Sequence, residues 1–180
     1  AVEKILKKNV LVVGAGIKTG LNIRIDNPAQ LGSDLVVDSV AAIAEYPAPL
    51  LIFDLGTANT VCVIDKNKNY IGGMIYPGIG VSLDSLTAHA SQLGGISIEA
   101  PEHMIGKNTT ECMKSGLIYS SAAAMDGIID RLQEKLGGEA TVIATGGLAK
   151  KIVPHCRREI ILDDDLLLKG LAIIYKKNRK

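Results

Sequence analysis

Apolar and polar positions alternate with two different periods along this chain, and the switch between them predicts its elements. Asn9–Val13 is a short apolar run that predicts a strand ending at Gly14-Ala15-Gly16. A polar, irregular stretch follows from Ile17 to Asp26. Asn27, Pro28 and Gln30 form a helix-start signature, so a helix is predicted to about Glu45 with Leu31, Leu35, Val36, Val40 and Ile43 inward. Tyr46-Pro47-Ala48-Pro49 stops it.

Three closely spaced apolar runs come next: Leu50–Phe53, Thr60–Asp65 and Tyr70–Tyr76. Their tight connections predict an antiparallel meander. Helical spacing then returns over Val81–Leu93 and again from Thr109 or Thr110 to Leu136, where Gly137-Gly138 ends it. Thr141–Ala144 reads as a strand, Leu148–Ile152 as a short helix, Glu159–Leu162 as a strand and Leu166–Lys176 as a final helix. The pattern is mixed α/β, and no linker rich in Pro, Gly or Ser divides it.

Composition narrows the picture. The core must be aliphatic, because there is one Phe, five Tyr and no Trp among 180 residues. A net charge of +1 gives no field that would gather nucleic acid or an anionic membrane. No apolar run is long enough to cross a bilayer. Cys62, Cys112 and Cys156 stand apart without a C-x-x-C pair, as small buried side chains in a reducing compartment would. His89, His103 and His155 lack metal-ligand spacing.

Several turns could carry chemistry. Asp54-Leu55-Gly56-Thr57-Ala58-Asn59-Thr60 lies where one strand returns into the next. Its amides and the Thr57 and Thr60 hydroxyls suit phosphate oxygens, and Asp54 suits a cation; an ordinary hairpin turn would read the same way. Gly146-Gly147 follows a strand and opens a helix, a common place for an anionic ligand. The Gly14–Gly20 segment is not a dinucleotide fingerprint, since no helix starts there. No Gly-Lys-Ser/Thr follows a glycine loop either.

Taken in order, these pieces resemble the type III pantothenate kinases. The matching segments are Gly16–Asn22, Asp26-Asn27-Pro28, Gly32-Ser33-Asp34, Asp54–Ala58, Gly72 to Gly78, Ile105–Thr109 and Ala144–Gly147. The resemblance implies an α/β, actin-like and ribonuclease H-like kinase fold. It implies residues 1–47 as a remnant of the N-terminal lobe with a substrate-side helix, and residues 48–180 as the C-terminal lobe. It also implies transfer of phosphate from ATP to pantothenate in the cytoplasm, at the first step of coenzyme A synthesis, by a homodimer using Mg²⁺ and K⁺ or NH₄⁺. Asp34 would be the catalytic base. Gly32, Ser33, Asp34, Leu35, Ile25 and Thr109 would meet pantothenate, Thr109 from across the dimer. Gly56, Thr57, Thr60, Gly146 and Gly147 would meet ATP, and Asp54 would hold the monovalent cation. Neither nucleic acid nor membrane is expected as a partner.

Three positions depart from the family pattern. Leu35 stands where the family has an arginine, Ile25 where it usually has a tyrosine, and no D-x-G turn precedes Gly14. These departures motivate a second reading, a non-catalytic relative acting as an accessory factor in transcription. The long helix after Thr109 is richer in small and apolar residues than one buried stripe needs, which fits either a dimer face or a central helix.

Overall fold

A computed structural model describes residues 5, 7, 10–14, 16–90 and 92–179. Asn9 of the first expected strand lies outside them. The remainder of that run, 10–13, is not a strand. Val12 is 73% exposed, so the run lacks the two buried faces that an all-apolar strand requires. The edge of the sheet is instead taken by β1 (Asn22–Ile23), which lies parallel to the strand Asn69–Pro77.

The predicted helix from Pro28 to Glu45 is two elements. Pro28–Gln30 is a single 3-10 turn, capped by Asn27, whose side chain accepts from the Ala29 amide at 3.3 Å. Leu31 is extended, and Gly32 then caps α1 (Ser33–Glu45). The break places Asp34 in the first turn of α1, where a carboxylate complements the helix dipole.

The meander forms as expected from β2 (Leu50–Leu55), β3 (Ala58–Ile64) and β4 (Asn69–Pro77), with an irregularity in register between Val63 and Ile64. After it come α2 (Ile79–His89), α3 (Thr109–Leu136), β5 (Thr141–Thr145), α4 (Ala149–Ile152), β6 (Ile161–Leu162) and α5 (Leu166–Asn178). The α2 helix ends four residues short of the expected Leu93. Asn108 caps α3 by accepting from the Glu111 amide, and Gly137 closes it in the left-handed region at φ 78°.

The sheet order is β1-β4-β3-β2-β5-β6, with β5 and β6 parallel to β2. Three antiparallel strands followed by two parallel crossovers is the ribonuclease H-like arrangement. Strand alternation sorts the core onto two faces. Leu51, Phe53, Leu55, Val61, Val63, Val142 and Ala144 face α3 and its neighbours. Leu50, Ile52, Cys62, Ile64 and Ile143 face α1 and the start of α5.

Two contacts join α1 to α5 and thereby fix where Asp34 sits. Lys169 of α5 donates to Glu45 and Asp163, both at 2.8 Å, and Tyr46 donates to the same Asp163 carboxylate at 2.8 Å. The helices also touch at Gly170, which rests on the Val37 carbonyl; a Cβ there would lie 2.7 Å from Val37 Cγ1. Overpacking such a contact costs about 1–3 kcal/mol or more. Gly170→Val is therefore expected to lower the thermal midpoint by several degrees, read by circular dichroism. An unchanged midpoint would show that this helix contact is not tight.

Candidate active site

The alternation that buries Leu50 and Ile52 also points Asp54, the next residue in that series, towards α1. Register does the rest. Asp54 pairs with Thr60 on one side and with Thr145 on the other. The polar end of the sheet therefore carries a row, Thr60–Asp54–Thr145, where the apolar rows stop. Facing it from α1 are Asp34 and, one turn later, Asp38.

Two clefts meet here. The first, about 570 Å³, is walled by Asp34, Asp38, Asp54, Thr145, the Gly146-Gly147 turn and Lys150. The second, about 560 Å³, lies between the 25–35 segment and the β3–β4 hairpin and includes Ile25, Gly32, Leu35 and Thr60. Asp34 belongs to both. It is exposed, and one of its oxygens accepts from the Leu35 amide at 2.9 Å.

The Gly146 turn is built tightly against the carboxylate end of β2. Gly146 has φ 94°, and a Cβ would come within 2.7 Å of both the Leu55 nitrogen and the Leu55 oxygen, besides meeting the Asp54 carboxylate. The Leu148 amide donates to Leu55 O at 3.2 Å, holding the turn in place. Lys150 projects from the following helix and pairs with Asp164.

Electrostatics single out Asp38, one helical turn after Asp34. It is 2% exposed, and its Oδ1 has no hydrogen-bond partner among the described residues. Burial, followed by the charges of Asp54, Asp34 and Asp163, pushes its pKa up to about 7. Burial and Asp34 also raise Asp54. A sequence signal for Asp38 existed: a carboxylate inside the apolar run Val36–Ala42, one helical turn after Asp34.

A raised carboxyl pKa means that the folded state holds a proton which the unfolded state gives up near pH 4. Stability is then full below about pH 4 and is lost as pH rises towards 7. Asp38→Asn is expected to remove that slope and to stabilise the protein at pH 8 relative to wild type, on the order of 3 kcal/mol for a shift of this size. Urea unfolding at pH 5 and pH 8 measures it. Equal pH dependence in the two proteins would contradict the assignment.

The other expected site residues fall in distinct places. Ser33 donates to the Val13 carbonyl at 3.0 Å. Gly56 and Thr57 lie on the β2–β3 turn, outside the lining of either cleft, and Gly78 packs on their carbonyls. Thr60 lines the second cleft rather than the first, and its Oγ1 is buried without a partner among the described residues. Thr109 is exposed at the start of α3, away from both clefts.

The chemistry of the donors fits cations unevenly. Among the described residues no group of three or more His, Cys, Asp or Glu is set to hold a metal ion. The orphaned Asp38 oxygen lies beside Asp54 and Thr145 in the first cleft, where a cation could complete it. No helix among the described residues is long and apolar enough to cross a membrane.

A family model described as type III pantothenate kinase matches residues 1–131. A type III pantothenate kinase of Exiguobacterium sp. is 47% identical over 170 residues, covering 94% of this chain and 66% of the relative. One from Bacillus cytotoxicus is 46% identical over 176 residues, covering 98% and 67%. The chain thus spans about two thirds of the length of the curated relatives it matches. Among solved structures, a Baf family transcriptional activator from Campylobacter jejuni superposes with a TM-score of 0.56 at 22% identity, over 87% of this chain and 68% of that one; the likeness concerns the fold alone.

Proposed function

This chain belongs to the type III pantothenate kinase family, and we propose that its two clefts are the nucleotide and pantothenate sides of one phosphotransfer site. The observation that carries the reading is the position of Asp34, the one carboxylate common to both walls. A base between donor and acceptor is what the reaction needs.

In this reading the pantothenate hydroxyl lies in the second cleft with its proton directed to Asp34. Its oxygen attacks the γ-phosphorus of ATP, the bond from that phosphorus to the bridging β–γ oxygen breaks, and the proton passes to the Asp34 carboxylate. Gly32, Ser33, Leu35 and Ile25 shape the substrate side. Gly146 and Gly147 receive the nucleotide, whereas Thr60 lines the hydroxyl-substrate cleft and Gly56 and Thr57 lie outside both clefts. Lys150 offsets part of the acidic wall. Mg²⁺ would arrive with the phosphates and spread their charge, while Asp54, with Asp38 and Thr145 beside it, would hold K⁺ or NH₄⁺.

Thr109 serves this scheme only from a second subunit, so the reading includes a homodimer built on α3. Light scattering is expected to give twice the chain mass; a monomer at micromolar concentration would remove Thr109 from the site. The reading assigns the protein to the cytoplasm. No observation on this chain favours the accessory role in transcription over the kinase.

The test is direct. The protein incubated with ATP, Mg²⁺ and K⁺ is expected to release ADP only when pantothenate is added. A folded protein that releases none, while still giving a cooperative melt, would contradict the proposal.

A further inference from the structure

The second cleft has an unusual charge balance for a site that takes an organic acid. No Lys, Arg or His lines it among the described residues. Its charged residues are both acidic, Asp26 and Asp34. Much of the rest is apolar: Ile25, Leu31, Leu35, Val61, Met74 and Ile75. Recognition of a carboxylate normally uses an Arg fork or a Lys ammonium, and Leu35 can supply neither.

Neutral polar groups are present instead. Thr60 Oγ1 is buried with no partner among the described residues, and Asn27 and Gln30 stand on the rim. A buried hydroxyl without a partner costs free energy unless a ligand completes it. Amide N–H and C=O groups and hydroxyls would do so. Among the described residues lining the cleft, a carboxylate would meet two like charges and no counter-charge.

We propose that this cleft selects hydroxyl substrates of the pantothenate type through their amide and alkyl portions and does not read the terminal carboxylate, so that uncharged amide or alcohol analogues bind at least as well as the acid. The inference rests on the assignment of the cleft to the hydroxyl substrate. Leu35 is its specificity-determining residue: it gives the wall an apolar surface where a cation would select the acid.

Calorimetric titration of the whole chain with pantothenate and with its neutral alcohol analogue, panthenol, tests it without relying on turnover. The expected result is a dissociation constant for panthenol equal to or below that for pantothenate. Leu35→Arg is then expected to tighten pantothenate by about tenfold or more and to leave panthenol nearly unchanged, the size of one charge-assisted contact. Pantothenate binding tenfold tighter than panthenol in the wild-type protein would overturn the inference and leave the kinase assignment standing. Binding of neither ligand would overturn both. The wild-type comparison decides the matter even if the arginine variant does not fold.

Discussion

Asp34→Asn is expected to reduce the turnover of pantothenate phosphorylation by about 10²–10⁴-fold, the usual worth of a positioned general base. Nucleotide affinity is expected to change little. The substitution keeps the shape of the side chain, and the Asn carbonyl can still accept the Leu35 amide as Asp34 Oδ1 does at 2.9 Å. The residue is exposed in the first turn of α1, so the fold does not depend on it. What is lost is the acceptor for the hydroxyl proton. Steady-state kinetics beside a nucleotide titration separates the two effects. A variant that kept about a tenth or more of wild-type turnover would show that another group takes the proton, and Asp38, one turn away, would be the next to change.

Gly146→Ala has the second large effect, and it acts through the backbone. At φ 94° an L side chain is strained whatever the space around it, and here there is none. The added methyl would press on Leu55 N and O and on the Asp54 carboxylate. Relief requires the turn to leave the end of β2, which breaks the Leu148-to-Leu55 hydrogen bond. A loss of about 2–4 kcal/mol of stability is expected, with nucleotide affinity down by about tenfold or more. Gly147→Ala is the control for the stability effect, since a Cβ there meets no protein atom within 4 Å. Thermal melts and titration with a non-hydrolysable ATP analogue read both variants. Equal behaviour of the two would mean that the turn is not held against Asp54.

The fold was legible where one period dominated. The meander over residues 50–77 follows from alternation and short turns, and α3 follows from its helical spacing and Gly137 stop. Reading failed where burial did not follow from local pattern. The run Val10–Val13 has the composition of a strand, but its surroundings make it a coil with Val12 in solvent. The helix expected from Pro28 was broken by Leu31-Gly32, because the caps Asn27 and Gly32 serve two separate elements.

The site was legible as motifs and less so as geometry. Asp34 and Asp54 carried family signatures, yet only strand register puts Thr60 and Thr145 beside Asp54. Asp38 had a signal as a carboxylate inside an apolar run, but not one that showed which way it faces. The α1 helix is covered by the sheet on one side and by α5 on another, so its buried residues run unbroken from Val36 to Ala42. No stripe in the sequence marks the position that turns towards the clefts.

The central claim is that Asp34 stands between phosphate donor and hydroxyl acceptor. A crystal structure of the protein with a non-hydrolysable ATP analogue, Mg²⁺ and pantothenate tests it most directly. The account predicts the terminal phosphate against the Gly146-Gly147 side and the substrate hydroxyl within hydrogen-bond reach of the Asp34 carboxylate, about 2.6–3.2 Å. Both ligands in one cleft, or a hydroxyl remote from Asp34, would contradict it.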